Sequence, residues 1–177
     1  RDRTTTKAAV LDADGVVVAA STQPTRPGVT GVVAAAVESV LQAAHAAGVT
    51  VTEVDIIGVG IPGTVDHRRG TVRHAVNVGI GRDEVELGRL IGTELGRAVH
   101  VEHDVRVAAL GADWLLTRDD AATADLAYLS IGTGIAAGYV RDGQMWRGST
   151  LLAGEIGHIR SIAAPEASAS MQPTCPQ

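Results

Sequence analysis

The scarcity of aromatic side chains is the feature of this sequence that most restricts how the chain can fold. Its 177 residues include two Trp, two Tyr and no Phe, although 45% of the residues are hydrophobic. A core must therefore be built from Val, Ile, Leu and Ala, whose small side chains let helices and sheets approach each other closely. The same scarcity argues against a nucleic-acid platform, because such a platform stacks bases on exposed aromatic rings.

Charge and composition restrict the class of protein further. The net charge is −5 and the charged fraction is 20%, which argues against disorder and against a surface built to neutralise phosphates. No uninterrupted apolar run approaches the roughly 20 residues that span a bilayer, and no secretory leader is visible. The single cysteine, Cys175, excludes an internal disulfide and fits a reducing compartment. We therefore expect a cytoplasmic protein whose segment here contacts neither membrane nor nucleic acid.

Hydrophobic periodicity predicts strands that alternate with helices. A hairpin is expected over 7–21, turning at 12–15, and an amphipathic helix runs from Val29 until Gly48 ends it. Two short extended pieces surround 66–70, and Pro24 is expected in a connection. Further strands are predicted at 54–60, 99–102, 126–131 and 135–140, and further helices at 87–95 and 104–116. This order favours a mixed α/β sheet flanked by helices.

Two segments next to predicted strands could carry chemistry. The turn at 132–134, Gly-Thr-Gly, could direct backbone N–H groups at an anion, or it could be an ordinary glycine-rich β-turn. Asp104 follows the strand at 99–102, at the edge where open α/β folds place their ligands. It could act as a general base for a hydroxyl, or it could simply be a helix N-cap.

Two other segments leave the same choice open. Glu155 and His158 are three residues apart and would share one face of a helical turn. They could bind the hydroxyls of a diol, or they could form a solvated polar turn. The loop at 60–63 and Asn77 could border a ligand cleft, or both could be plain turns.

The order and spacing of these segments resemble the ROK family of sugar kinases and sugar-responsive repressors, which has the actin-like ATPase (ribonuclease H-like) fold. The segment GVGIPGTVD at 58–66 is similar to the family's G-x-G-x-P-G-x-V-D loop, and AVNV at 75–78 to its asparagine loop. The segment VEHD at 101–104 resembles the one that carries the catalytic aspartate. IGTGI at 131–135 resembles the second phosphate loop, and 147–158 resembles the family signature.

The resemblance implies a site for ATP with Mg²⁺ and for a hexose or N-acetylhexosamine. Asp104 would take the proton from the sugar hydroxyl that attacks the γ-phosphate of ATP. The residues implied in sugar binding are Asn77, His103, Asp104, Glu155 and His158. The residues implied in nucleotide binding are Thr6, Lys7, Gly132, Thr133 and Gly134.

The chain departs from the family pattern in three places. The first phosphate loop, usually Asp-x-Gly-Gly-Thr-Lys, reads DRTTTK at 2–7, with Thr4 and Thr5 where glycines allow close approach to phosphate. His103 replaces the usual asparagine, a change that could alter the sugar preference. His158 and Cys175 are the candidate zinc ligands, but one histidine and one cysteine do not complete a tetrahedral structural site. This argues against zinc in the chain.

From the resemblance we expect an N-terminal α/β lobe over 1–103, the start of a second lobe over 104–162 and a loosely ordered tail over 163–177. The second lobe is expected to be incomplete, as in a truncated chain. The expected function is an ATP-dependent, glucokinase-like sugar kinase that forms a homodimer. The alternative is a sugar-sensing transcriptional regulator whose DNA-binding module is absent from this segment. A non-catalytic remnant is the third possibility.

Overall fold

The computed structural model describes residues 5–118, 125–132 and 134–159 of the chain. The helices are α1 (Val29–Ala46), α2 (Leu87–Leu95) and α3 (Asp104–Thr117). The strands are β1 (Thr5–Leu11), β2 (Val17–Pro24), β3 (Ile57–Ile61), β4 (Thr64–Asp66), β5 (Thr71–Arg73), β6 (Val99–His103), β7 (Leu126–Ile131), β8 (Ile135–Arg141) and β9 (Gln144–Trp146). Short 3-10 turns lie at Val51–Glu53, Val76–Val78 and Ile156–His158.

The N-terminal hairpin is present as predicted, with β1 antiparallel to β2. Its turn forms because the Asp12 carboxylate accepts hydrogen bonds from the N–H groups of Asp14 and Val16, at 3.0 and 2.9 Å. The prediction that Pro24 lies in a connection was wrong, since β2 continues to Pro24, opposite Thr5. A proline is tolerated there because it lies at the end of an edge strand.

Helix α1 packs on the hairpin and on α2. It begins after Gly28, and Val32, Ala36 and Ala43 are among its buried residues. By length and composition alone α1 could cross a membrane, a test that buried core helices also pass. Glu38 interrupts the apolar run of α1, but the helix as a whole is still long and apolar enough to pass this test, so the expectation based on uninterrupted runs did not reveal it.

Strands β3 and β6 are parallel, and their register places Gly60 opposite Glu102 and Ile61 opposite His103. Strand β3 begins at Ile57, later than predicted, where its pairing with Val99 of β6 begins; the carbonyls of Val54 and Asp55 accept hydrogen bonds from the Arg97 side chain instead. Ile57 and Ile61 of β3 and Val101 of β6 belong to the buried hydrophobic core. The other residues of this core include Val32, Ala36, Val65, Val72, Val78, Ile80, Leu87, Ile91 and Leu95. Small aliphatic side chains build this core, as the composition predicts.

The strands after α3 form an antiparallel meander in the order β7-β8-β9. Helix α3 packs closely on β8 at Gly138, where an added Cβ would lie only 2.7 Å from the carbonyl oxygen of Val105. The absence of a side chain at Gly138 allows this approach. Strand β9 was not predicted. Parallel and antiparallel pairs both occur, as expected for a mixed α/β fold, and in the part of the chain that the structure describes they form four separate hydrogen-bonded groups. The predicted tail over 163–177 lies outside the described residues.

Candidate active site

Asp104 lies where β6 passes directly into α3, next to the carboxyl end of β3. The helix begins at Asp104 itself and its N-cap position is His103, so the N-cap interpretation of Asp104 was wrong by one residue. The Asp104 carboxylate still accepts a hydrogen bond from the Val105 N–H, at 2.7 Å. Its side chain is 47% exposed. Asp104 is therefore fixed by the helix start and open to a ligand.

A cavity of about 870 Å³ is lined mainly by residues of β1, α1 and β3. Four of the residues implied in ligand binding line this cavity: Thr6, Lys7, Asn77 and Asp104. Asn77 reaches it from the 3-10 turn Val76–Val78. The fold thus places residues from three distant parts of the sequence on one cavity.

The glycine-rich loop after β3 borders the same cavity, which Gly60, Ile61 and Pro62 line. A Cβ at Gly60 would lie 3.3 Å from the Cα of Asp104. A glycine at this position therefore lets β3 approach the start of α3. Of the two interpretations of this loop, the cleft border agrees with the structure.

His103 joins Asp104 to Glu155. Its imidazole is buried, with Nδ1 3.3 Å from Asp104 Oδ1 and Nε2 3.6 Å from Glu155 Oε1. Glu155 directly precedes the 3-10 turn Ile156–His158, which agrees with the predicted helical turn. The side chain of His158 lies outside what the structure describes. Three of the predicted sugar-binding residues therefore form one cluster.

Three residues of this region were not predicted to have a role. The buried carboxylate of Glu102 accepts hydrogen bonds from the His103 N–H at 2.9 Å, from Arg106 Nη1 at 3.3 Å and from Arg147 Nε at 2.7 Å. Burial alone raises the pKa of Glu102, but these donors outweigh it and hold the pKa below its ordinary value. The i,i+4 spacing of Glu102 and Arg106 was a possible signal; for Arg147 the signal was its place at the start of the segment 147–158 that resembles the family signature.

The predicted phosphate turn is not part of the cavity wall among the described residues. Gly132 and Gly134 are exposed between β7 and β8, where the Gly132 N–H donates to the Gly134 carbonyl at 2.9 Å. They do not line the cavity, and Thr133 lies outside the described residues. Within the described parts of the chain no three His, Cys, Asp or Glu side chains group as metal ligands, and Cys175 lies outside those parts.

The known proteins to which this chain is similar include both repressors and sugar kinases. The chain is 36% identical to a putative xylose repressor of Caldicellulosiruptor sp. over 103 residues, 58% of this chain and 25% of that protein. It is 39% identical to an N-acetyl-D-glucosamine kinase of Vibrio cholerae over 104 residues, 59% of this chain and 33% of that protein. The chain thus spans a quarter to a third of the length of these relatives.

The structure is similar to that of a ROK family glucokinase from Streptomyces griseus in complex with glucose and AMPPNP, with a TM-score of 0.75 and 30% identity. The match covers 90% of this chain and 48% of that one. The expected actin-like α/β fold is thereby confirmed. The profile of the ROK family matches residues 3–177, so the chain belongs to the ROK family.

Proposed function

We propose that this chain contributes the sugar site and the catalytic base of a cytoplasmic sugar kinase, which transfers the γ-phosphate of ATP to a hexose or N-acetylhexosamine. The observation that carries the proposal is the His103 imidazole between the carboxylates of Asp104 and Glu155. Asp104 also lines the cavity that Asn77 reaches. Carboxylate, imidazole and amide groups provide the donors and acceptors that a sugar's hydroxyls require.

Asp104 is the base in this mechanism. Its carboxylate is partly exposed, and the hydrogen bond from the Val105 N–H limits its rotation. It accepts the proton of the attacking sugar hydroxyl as the bond from that oxygen to the γ-phosphorus forms and the bond from the γ-phosphorus to the β–γ bridging oxygen breaks, with ADP as the leaving group. Glu155 and Asn77 orient the sugar by accepting and donating hydrogen bonds at its other hydroxyls. Positioning contributes most of the rate enhancement, because phosphoryl transfer requires little covalent chemistry of the protein.

The nucleotide would lie toward Thr6 and Lys7. The Lys7 ammonium group can offset phosphate charge, and Thr6 can donate its hydroxyl hydrogen. Asp104 is the only carboxylate among the described residues that line the cavity. Mg²⁺ would therefore be bound chiefly through the phosphates of ATP, whose charge it neutralises. Gly132, Thr133 and Gly134 would bind phosphate oxygens through backbone N–H groups and the Thr133 hydroxyl.

A sugar-sensing regulator is the second candidate. The similarity to the putative xylose repressor favours it, as does Thr5 in place of a glycine of the first phosphate loop. A regulator would use the same carboxylates to bind a sugar and would need no phosphoryl transfer.

Turnover distinguishes the two candidates. The full-length protein is incubated with ATP, Mg²⁺ and a panel of hexoses and N-acetylhexosamines, with Asp104→Asn as the control, while ADP release is followed. Turnover with one sugar that the variant loses supports the kinase. Thermal stabilisation by a sugar without ADP release supports the regulator, and no response to any sugar contradicts both. Sedimentation velocity on the same preparation tests the expected homodimer.

A further inference from the structure

We infer that Glu102 is a positioning residue: through Arg106 and Arg147 it holds the segment 147–153, and with it Glu155, against the β6–α3 junction that carries Asp104. The inference deepens the proposed function and rests on it where it concerns sugar binding. Glu102 does not line the cavity and is not expected to touch a substrate. Its effect would be exerted through the two arginines.

Arg106 connects α3 to the segment. Its side chain is 2% exposed, and one of its Nη atoms contacts Glu102 while the other donates to the carbonyl oxygens of Leu151 and Ala153. A single guanidinium group thus binds a carboxylate and two backbone carbonyls, a pattern that a lysine cannot reproduce. Glu155 follows the second carbonyl by two residues.

Arg147 fixes the other end of the segment. Its Nε donates to Glu102 Oε2 at 2.7 Å, and its own carbonyl accepts from the Ala153 N–H at 3.2 Å. The two arginines therefore bind opposite oxygens of one carboxylate. Because Glu102 is buried, this pairing is screened less by solvent than a surface ion pair.

The backbone of the segment shows that it is tightly constrained. Leu151 has a φ of 62°, a conformation that a leucine adopts only where its surroundings impose it. The Gly154 carbonyl accepts from the Ala137 N–H of β8 at 2.8 Å, next to Glu155. The residues that lead into Glu155 are thus held at two places: Gly154 by β8, and Leu151 and Ala153 by Arg106, which Glu102 binds.

The test compares Glu102→Gln and Arg147→Gln in the full-length protein with Glu84→Gln. Glu84 pairs with Arg69 at 2.7 Å on the surface, so the control breaks an ion pair of equal length outside the site. Hydrogen exchange is measured by mass spectrometry on peptides covering 147–157 and on peptides covering α1 and β3. The Michaelis constants for the sugar and for ATP are measured on the same preparations. Arg147 is partly exposed, so its variant serves if Glu102→Gln does not fold.

Positioning predicts a local change in both variants. Exchange in 147–157 should become about tenfold faster with α1 and β3 unchanged, and the sugar KM should rise about tenfold with the ATP KM within about twofold. Exchange and sugar KM equal to those of Glu84→Gln would overturn the inference. So would faster exchange throughout the chain with an unchanged sugar KM, since that marks an ordinary structural ion pair.

The two proposals can fail separately. If the wild-type protein binds a sugar but shows no turnover, the dissociation constant for that sugar is measured in place of its KM. A wild-type protein that neither phosphorylates nor binds any sugar would contradict the proposed function. In that case the exchange data alone decide whether Glu102 holds the segment.

Discussion

Gly60 and Asp104 are so close that a Cβ at position 60 would require β3 or the start of α3 to shift by a few tenths of an ångström. A Cβ on Gly60 would approach the Asp104 Cα to 3.3 Å and its Cβ to 3.6 Å. We expect Gly60→Ala to lower kcat roughly tenfold, because shifts of less than an ångström at a reacting group are costly. Gly111→Ala, in α3 and not among the residues that line the cavity, is the control, since nothing lies within 4 Å of its added Cβ. A control that lowers kcat as much would refute the steric argument.

Asp104→Asn tests the role of the base without altering the start of the helix. The amide keeps an oxygen that can accept the Val105 N–H, so the fold should be retained. We expect kcat to fall by about 10²- to 10⁴-fold while the dissociation constant for the sugar changes little. ADP release and sugar titration measure the two quantities. Asp142→Asn, in the exposed β8–β9 turn, is the control. Equal loss of binding and turnover would make Asp104 a structural residue.

Gly154→Ala should disrupt the segment that carries Glu155. Its φ is 98° and an added Cβ would lie 1.8 Å from the Ala137 carbonyl oxygen, so both conformation and space exclude a side chain. Gly143→Ala separates the two effects, because Gly143 has a φ of 70° and open space around it. We expect the control to lower the free energy of unfolding by about 1 kcal/mol and Gly154→Ala by about 4 kcal/mol or more. Urea denaturation measures both, and equal losses would contradict the close contact.

The buried carboxylate of Glu102 predicts a dependence of stability on pH. Its pKa in the folded protein lies below the ordinary value of 4.5, so ionised Glu102 stabilises the fold above pH 4.5. This contribution should be lost as the pH falls below 4.5 through the folded-state pKa. Glu102→Gln cannot titrate at this position, so the stability difference between wild type and variant should shrink below pH 4.5. Urea midpoints between pH 7 and pH 3 test this. A constant difference would show that Glu102 has the same pKa folded and unfolded.

The elements whose signals are local could be predicted from the sequence. Helix α2 is an example: its apolar residues recur every three or four positions, and Gly96, with a φ of 64°, ends it directly after Leu95. Both signals are contained in one short stretch of sequence. The passage from β6 into α3 at Asp104 was likewise predicted, because a short apolar strand directly precedes a helical pattern. Strand β9 was missed since three residues are too few to show a period.

The contacts that position Glu155 could not be predicted in the same way. Arg147 is 45 residues from Glu102, and the side chain of Arg106 reaches the carbonyl of Ala153, 47 residues away. Long arginine side chains can bridge many different elements, so spacing along the chain does not identify their partners. Which carbonyls Arg106 reaches depends on how α3 packs on β8, to which the segment is hydrogen-bonded at Gly154.

The unpaired edge of β1 has a consequence for the solubility of this chain. One edge pairs with β2, and within the described residues the other carries no hydrogen-bonded strand and faces the cavity. Such an edge can add a strand from a neighbouring molecule, and natural proteins often oppose this with a lysine on the edge strand. The only lysine of the sequence, Lys7, is the third of the seven residues of β1 and is exposed. Beside any contact with a phosphate, its charge therefore disfavours aggregation at this edge.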